Sequence, residues 1–536
     1  MISIIPKPNH IELTEGNYEL KHGKICSEFE KLNNFFTDAF AEYNIKATIQ
    51  KTAGNVKILS DKELEAEEYE LFIDENGITI SASADAGAFY GMQSLRQLLN
   101  QNYVEKDAIT LPFCRLKDKP DFSHRSFMID EARHFFGKDV VKEMIDIMAL
   151  LKLNRLHWHL TEDQGWRVEI KKYPLLTEKG SVRECSQLSW VGVLTRKPKC
   201  DGKKYGEGCF YTQDDLKEIV AYAKDRQIEV YPEIDMPGHL LAAIACYPEL
   251  SCFNEQVEVS KTWGIKKTIG CAGKDKLYEF IKDVIDELQA IFPAGYFHIG
   301  GDEAPKLKWK TCPDCQKKMQ DNGLKNEHEL QAYFSNEIIS YLEKYGKRTV
   351  AWNEILNGDN LSDKTIVQYW IGSNKKKVNE WLEKGNNIII SKNSYLYMDY
   401  LYGFEYLKKS YNTDLEKLGF DAKYKKQILG YEAPIWTEFV NSKGKLEFQV
   451  FPRMMSLAEI NWTKKENKNF ADFEKRLENI NKYLDKLGIC YATKEFYSPT
   501  GLKGLLRKTT AQSDMAFRPY KEYEQYIESK SKEGRV

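Results

Sequence analysis

Apolar and polar positions along this chain follow two different patterns, which divide it into regions. Residues 69–73 and 78–81 are short apolar-rich runs on either side of Glu75-Asn76-Gly77, and this arrangement predicts a β-hairpin. Residues 84–99 follow with apolar side chains on one helical face. Residues 1–118 are therefore predicted to form a small α/β domain.

From about residue 122 the pattern becomes a strand, a loop and a helix, repeated. Predicted strands lie at residues 126–130, 155–160, 229–234, 296–299, 349–352, 365–369, 387–391 and 430–434. Helical patterns such as those at 138–151 and 327–345 separate most of them. Because alternating strands and helices imply a parallel sheet, eight such units predict a (β/α)8 TIM barrel at residues 119–465.

The C-terminal region, residues 466–536, has two parts. Residues 470–487 are charged and amphipathic, which predicts a helix packed on the barrel. Beyond Lys503 the sequence is basic and polar, and we expect a loosely held tail.

Composition and charge narrow the classes of partner. The chain has 536 residues, a net charge of -2 and 29% charged residues, which gives no electrostatic reason to expect nucleic acid or an anionic membrane as a partner. No apolar run is long enough to span a bilayer. No signal peptide is visible, so we expect a cytoplasmic protein unless a leader was removed; it would then be periplasmic, secreted or lysosomal. The oligomeric state stays open.

The cysteines give a weak metal signal. There are 11, an odd number, so at least one lies outside any intramolecular disulfide. Cys312 and Cys315 are the only tight pair, and no second close pair of Cys or His completes a tetrahedral zinc site. We therefore expect a local disulfide or two free thiols there, with no tightly bound metal and no cofactor.

Polar or aromatic residues follow all eight predicted strands, where barrels of this class build their sites. In His298-Ile299-Gly300-Gly301-Asp302-Glu303, two glycines allow a tight turn before two adjacent carboxylates that point in different directions. Asp-Glu pairs are common on exposed surfaces. A pair that follows a strand and two glycines instead indicates a functional site.

This stretch resembles the His-x-Gly-Gly-Asp-Glu motif of the family 20 glycoside hydrolases, the β-N-acetylhexosaminidases. The resemblance extends over roughly residues 1–490, with matching motifs at all eight strand ends. It implies an exo-acting, retaining, chitobiase-like enzyme that removes terminal β-linked N-acetylglucosamine or N-acetylgalactosamine from oligosaccharides or glycoconjugates. It also implies substrate-assisted catalysis, in which the acetamido oxygen is the nucleophile and an oxazolinium ion is the intermediate.

The resemblance implies catalytic roles for five residues. Glu303 would be the general acid and then the base, and partial burial beside Asp302 would favour its protonated form. Asp302 would hold the acetamido N–H, and Tyr397 would donate to the acetamido oxygen. His239 and Asp163 would form a relay pair behind Glu303. The motif departs from the family at residue 162, where Glu replaces the usual Asp, but Asp163 is retained.

The resemblance also implies a set of sugar-binding residues. Arg125 would bind the 3- and 4-hydroxyls and Glu438 the 4- and 6-hydroxyls, with Asp399 at a further matching position. Three indoles would enclose the acetamido methyl group and the apolar face of the sugar: Trp352, Trp370 and Trp436. An apolar acetamido pocket would select N-acetyl sugars over plain hexoses.

Two other interpretations stay open. A lacto-N-biosidase shares the Asp-Glu motif but releases a disaccharide and needs a wider cleft, whereas the arginine and glutamate matched here close the site around one sugar. A non-catalytic glycan-binding protein could use the same scaffold, because fold alone does not imply activity. Intact Asp302, Glu303 and Tyr397 argue against it.

Overall fold

The computed structural model describes residues 2–103, 108–187, 200–402, 406–499 and 521–532. The described residues up to Asp118 form a sheet backed by helices. Its seven strands are His10–Leu20, Gly23–Ser27, Ala47–Ile49, Val56–Ser60, Tyr69–Asp74, Gly77–Ala82 and Ile109–Asp118. The predicted hairpin is confirmed, with Tyr69 opposite Ala82 in antiparallel register. Helices Asn33–Ala41 and Asp85–Asn102 accompany this sheet, and the second of them packs on its central strands.

The predicted barrel is confirmed as a closed ring of eight parallel strands. In order they are His124–Asp130, Arg155–His159, Glu229–Glu233, Tyr296–His298, Arg348–Trp352, Ile366–Tyr369, Ile388–Ile390 and Ile428–Ile435. The first strand closes the ring against the eighth, with Arg125 beside Tyr431. This strand begins two residues before its predicted start, because His124 and Arg125 are buried polar residues that an apolar pattern does not detect.

Helices follow most barrel strands and cover the outside of the ring. They span Lys138–Leu150, Gln213–Lys224, Leu241–Cys246, Asp275–Gln289, Pro313–Asp321, Glu327–Glu343, Lys375–Glu383, Tyr406–Tyr411, Lys443–Val450 and Arg453–Trp462. The helix Lys138–Leu150 is typical, since Val141, Met144, Ile145 and Met148 lie on one side and are buried.

Short segments connect these elements. Helical turns lie at Glu30–Leu32, Leu175–Glu178, Pro248–Leu250, Asn353–Asn357, Asn393–Leu396, Ala422–Tyr424, Lys465–Asn467 and Lys494–Tyr497. Two short strands, Thr161–Glu162 and Gly165–Trp166, pair with each other after the second barrel strand. Within the described residues, no helix is both long and apolar enough to cross a lipid bilayer.

The C-terminal helix spans Phe470–Leu487, as predicted, and buries Phe473, Leu477, Ile480 and Leu484. It contacts the N-terminal domain as well as the barrel. Arg476 binds Glu459 on a barrel helix at 2.6 Å, and Asn479 accepts a hydrogen bond from Asn100 at 2.8 Å. The helix therefore joins the two domains.

The expectation of a loosely held tail is wrong for one segment beyond Lys503. Residues Lys521–Lys532 form a helix that packs on Lys443–Val450, with Tyr523 and Ile527 buried. The same expectation covered residues 504–520 and 533–536, which lie outside the described residues.

Candidate active site

A strained turn after the fourth barrel strand carries the two adjacent carboxylates. Gly300 and Gly301 have φ angles of 64° and 99°, and a Cβ at Gly300 would lie 1.7 Å from the Oδ1 atom of Asp235. Asp235 accepts the Gly301 N–H at 3.1 Å. Glu303 itself has a φ of 44°, a conformation that residues with a side chain adopt rarely and that clusters at functional sites. The turn thus holds Asp302 and Glu303 at the mouth of the barrel.

Asp302 and Glu303 have different environments. Asp302 is 9% exposed, and its buried Oδ1 atom has no hydrogen-bond partner among the described residues. Burial raises the pKa of Asp302 to about 7; His239 opposes this rise and Glu303 adds to it. The Glu303 side chain is 34% exposed. Asp302 therefore offers a buried acceptor, while Glu303 faces the open cleft.

The imidazole of His239 lies between two groups of carboxylates. Its Nε2 atom is 3.7 Å from Oε2 of Glu303 and 3.8 Å from Oδ2 of Asp302. Its Nδ1 atom hydrogen-bonds Oε1 of Glu162 at 2.6 Å. Although burial disfavours the charged form, Glu162 and Asp235 hold the pKa of His239 well above its usual range. An imidazolium placed in this way can balance negative charge on Asp302 and Glu303.

The predicted relay partner, Asp163, requires a correction. Its Oδ2 atom is 3.9 Å from Nδ1 of His239, beyond hydrogen-bond distance, and its Oδ1 atom accepts the Leu241 N–H at 3.0 Å. Glu162 takes the position next to His239, because the longer side chain reaches the ring. The sequence carried a signal for this, since residue 162 is where the motif departs from its usual form.

The predicted sugar-binding role of Arg125 is wrong. Its guanidinium is fully buried at the opposite end of the barrel, where it binds both carboxylate oxygens of Glu67 at 2.6 and 3.1 Å and Tyr90 Oη at 3.0 Å. Arg125 is the second residue of its strand, and five residues of strand span about 16 Å. It therefore joins the barrel to the N-terminal domain and lies far from the site.

Arg133 lies near Trp436 and Glu438, in the position that we expected Arg125 to occupy. It follows the end of the first strand and lies 8% exposed, with its guanidinium carbon 4.8 Å above the ring of Trp436. Its nitrogens lie 3.0 Å from Asp130, 3.3 Å from Glu162 and 3.6 Å from Glu438. The signal for Arg133 was its position, because barrel sites lie at the carboxyl ends of the strands.

Glu438 lies 3.6 Å from this arginine, and the charge of Arg133 also acts on Asp399. Burial raises the pKa of Glu438, and Arg133 opposes the rise. Burial also raises the pKa of Asp399 well above its usual range, and the charge of Glu438 adds to this. Oδ1 of Asp399 is buried without a hydrogen-bond partner among the described residues. These carboxyls can therefore form new hydrogen bonds with a polar ligand.

The four predicted aromatic residues form one continuous wall. Tyr397 stacks on Trp370, with ring centres 6.1 Å apart and planes 14° from parallel. Trp436 lies 6.2 Å from Tyr397 and 5.9 Å from Trp352. Burial raises the pKa of Tyr397 well above its usual range, so its hydroxyl keeps its proton. The wall offers flat apolar surface and one hydroxyl beside the carboxylate pair.

A buried network beneath the site, which the sequence analysis missed, supports this wall. Glu233 accepts the indole N–H of Trp352 at 2.8 Å and contacts His159 at 2.6 Å and His298 at 3.0 Å. Although burial favours its neutral form, His298 and His159 hold the pKa of Glu233 well below its usual range. Its carboxylate thereby fixes Trp352. The sequence gave no signal for this network. His157 and His159 lie within a strand, on either side of Trp158, and all three are buried there rather than at the strand's exit.

A parallel barrel whose strand ends hold paired carboxylates, a charged histidine and a wall of indoles has the residue types that suit a glycoside hydrolase. The model of the glycosyl hydrolase family 20 catalytic domain matches residues 122–465, and that of domain 2 of the same family matches residues 1–119. The chain belongs to glycosyl hydrolase family 20, as the sequence resemblance indicated.

Several relatives of the chain are known. A β-hexosaminidase of Porphyromonas gingivalis is 39% identical over 91% of this chain, which spans 64% of that relative's length. A β-hexosaminidase of Akkermansia muciniphila is 32% identical over 82% of this chain and 88% of its own.

Solved structures resemble the whole fold. An exo-β-N-acetylglucosaminidase from Vibrio harveyi, in complex with N-acetylglucosamine, superposes with a TM-score of 0.82 at 29% identity, over 92% of this chain and 78% of its own. A β-N-acetylhexosaminidase from Bacteroides fragilis gives 0.78 at 30% identity, over 91% and 96%. The likeness therefore covers the N-terminal domain and the barrel together.

Proposed function

We propose that this chain is an exo-acting β-N-acetylhexosaminidase that releases terminal N-acetylglucosamine or N-acetylgalactosamine by substrate-assisted catalysis. The observation that carries the proposal is the buried Oδ1 of Asp302, an acceptor without a partner among the described residues. An unsatisfied buried acceptor is costly, and an amide N–H from a ligand would satisfy it. The names of the relatives and the neighbouring aromatic wall support an acetamido group as that ligand.

In the first step, Asp302 accepts the acetamido N–H and Tyr397 donates its O–H to the acetamido carbonyl oxygen. That oxygen attacks the anomeric carbon while the bond to the leaving oxygen breaks, and Glu303 transfers its proton to the leaving oxygen. The product of this step is a cyclic oxazolinium ion. Asp302 then faces a positive charge, which its carboxylate stabilises in a buried site.

In the second step, Glu303 acts as a base. It takes a proton from water as the water oxygen attacks the anomeric carbon, and the bond from that carbon to the acetamido oxygen breaks. Two displacements leave the configuration unchanged. The protonated His239, 3.7 Å from Glu303, balances the charge of the Glu303 carboxylate between the first proton transfer and the second.

Two groups of residues, one aromatic and one polar, would determine which substrates the site accepts. The apolar wall of Trp352, Trp370 and Trp436 fits an acetamido methyl group and a sugar face. Beside this wall, Arg133, Asp399 and Glu438 would bind hydroxyls of one terminal sugar, which favours exo action. A plain β-glucoside lacks the nucleophile and should be a very poor substrate.

A thiazoline mimic of the bicyclic intermediate tests the proposal directly. It should inhibit the enzyme and bind far more tightly than free N-acetylglucosamine, since intermediate analogues resemble the activated state. Asp302→Asn and Tyr397→Phe should both weaken its inhibition constant, while a glucose-derived inhibitor should be insensitive to either change.

Two results would contradict the mechanism. One is a covalent sugar ester on an Asp or Glu, trapped with a fluorosugar and found by mass spectrometry. The other is hydrolysis of a β-glucoside at a rate comparable to that of the N-acetyl sugar.

A further inference from the structure

Four cysteines from distant parts of the sequence meet in one buried cluster beside the barrel. They are Cys252, Cys271, Cys312 and Cys315, and all four sulfur atoms lie within 4.8 Å of one another. The premise that Cys312 and Cys315 lack two further ligands is therefore wrong. The signal was hidden because Cys252 and Cys271 are far apart in sequence and form no short motif.

The distances within this cysteine cluster match one tetrahedral metal ion. The Sγ atoms are 3.5 Å apart for Cys271 and Cys315, 3.7 Å for Cys271 and Cys312, and 3.9 Å for Cys252 and Cys315. Zinc–sulfur bonds of about 2.3 Å in a tetrahedron place neighbouring sulfurs about 3.8 Å apart. A disulfide would need about 2.05 Å. The four thiols thus surround a common centre without being bonded in pairs.

The backbone brings the two halves of the cluster close together. Cys312 and Cys315 lie at the start of the helix Pro313–Asp321, where the helix dipole favours thiolates. Cys271 follows a bridge between Ser251 and Gly270, and its N–H donates to Leu250 at 2.8 Å. Gly273 passes so near the helix that a Cβ would lie 2.2 Å from the Cys315 nitrogen. Glycine at 273 therefore permits the approach of the two loops.

We propose that Cys252, Cys271, Cys312 and Cys315 bind one structural zinc ion. Four thiolate ligands fill a tetrahedral zinc site, leaving no position open for substrate or water, so the ion would have no part in hydrolysis. Soft sulfur ligands select zinc over magnesium or calcium. The cluster is separate from the carboxylates of the active site.

The proposed ion would fasten the two loops that carry the catalytic machinery. Cys252 and Cys271 belong to the segment after His239, whereas Cys312 and Cys315 belong to the segment after Glu303. Hydrogen bonds continue from the cluster to the site: the Trp309 indole N–H donates to Gly270 at 3.0 Å, and the Gly270 N–H donates to Pro237 at 2.9 Å. Lys308 also links the same two loops, because its ammonium group binds Glu255 and Thr268.

Metal analysis of the full chain, purified without added metal or chelator, tests the proposal. We expect one zinc per chain by inductively coupled plasma mass spectrometry. Cys271→Ser and Cys312→Ser should each lose most of it, because three ligands hold the ion more weakly than four. Cys114→Ser is the matched control, since Cys114 is also a buried free cysteine but lies in the N-terminal sheet, and it should keep one zinc.

A second measurement on the unaltered protein covers the case in which these variants fail to fold. Titration with a mercurial reagent in the presence of a chromogenic zinc chelator should release one zinc as four thiols are modified. Cobalt exchanged into the site should give the strong visible absorption of tetrahedral thiolate coordination. Both readouts are independent of glycosidase activity.

The proposal would be overturned by zinc at trace level only, by iron in place of zinc, or by disulfides linking the four cysteines in non-reducing peptide mapping. A zinc content that is unchanged in both Cys271→Ser and Cys312→Ser would also overturn it, because the ion would then lie elsewhere.

Discussion

The two ends of the barrel use the same kinds of charged residue in opposite ways. At the N-terminal end, Arg125 donates to Glu67, Tyr90 and two backbone carbonyls, and it is fully buried. At the C-terminal end, Asp302 and His239 each keep a buried polar atom without a hydrogen-bond partner among the described residues.

This difference distinguishes residues that stabilise the fold from residues that await a ligand. A buried polar atom without a partner costs about 1–3 kcal/mol, and a ligand that supplies the missing hydrogen bond removes that cost. Arg125 has its partners within the chain and joins two domains. Among the described residues, Oδ1 of Asp302 and Nε2 of His239 lack a hydrogen-bond partner, and the proposed N-acetyl sugar would supply one to Asp302.

The largest effect should come from Glu303→Gln at the open end. We expect kcat/KM for an N-acetyl disaccharide to fall by about 10²–10⁴-fold, because the amide cannot protonate the leaving oxygen. Thermal stability should change little, since the side chain is 34% exposed. An aryl glycoside with a good leaving group needs less protonation and should lose less in the cleavage step. Near wild-type turnover of the disaccharide would refute the assignment.

Replacing Arg133 or Arg125 with alanine tests the contrast between the two ends of the barrel. Arg133→Ala should lower kcat/KM by about 10–100-fold, through lost charged hydrogen bonds to the sugar. It should also lower stability, because the buried Asp130 and Glu162 lose a charged partner. Arg125→Ala should lower the free energy of unfolding by about 2–3 kcal/mol, because Glu67 loses its buried partner. Its kcat/KM per folded molecule should stay close to wild type. Denaturant titration and steady-state kinetics on both variants check this, and an exchange of the two phenotypes would reverse our placement.

Glu162→Gln and Asp163→Asn separate the two candidates for the relay partner. Glu162 raises the pKa of His239, so its neutralisation should lower that pKa. If the imidazolium is the active form, activity is lost as pH rises through this pKa. The basic limb of the kcat/KM profile should then move to lower pH in Glu162→Gln. Asp163→Asn should move it less, because Asp163 lies 3.9 Å from the ring. Equal shifts would restore Asp163 as a partner.

The smallest effect concerns the stability cost of the ionised Asp302. Its pKa is about 7 in the folded protein, raised by burial, against a usual value near 3.8. At pH values between 3.8 and about 7, the Asp302 carboxyl is ionised in the unfolded state but protonated in the folded state. The free energy of unfolding therefore falls as pH rises and levels off above about pH 7. Asp302→Asn should therefore melt about 2–4 °C above wild type near pH 8, with no difference near pH 4. Scanning calorimetry at both pH values checks this, and a constant difference would exclude titration of Asp302 as its cause.

Much of the architecture was predictable because its signals are local. Most barrel strands contain short apolar stretches, and the helix at Phe470–Leu487 has a clear apolar face, so neighbouring residues alone indicated these elements. The two glycines before Asp302 predicted a tight turn. In the structure, Gly300 has a positive φ and no space for a side chain. Position at the carboxyl end of a strand was the best predictor of a site residue. Arg125 was misassigned because it lies near the start of its strand.

The sequence by itself determined the order of strands and helices, the family, and the chemical types that gather at the strand ends. The tertiary structure decided which side chains are partners: Glu162 rather than Asp163 beside His239, Arg133 rather than Arg125 in the cleft, and Cys252 and Cys271 beside Cys312 and Cys315. The physical reason is distance along the chain. Backbone periodicity depends on adjacent residues, whereas hydrogen bonds and metal coordination depend on atoms that only the closure of the barrel and the packing of its loops bring within reach.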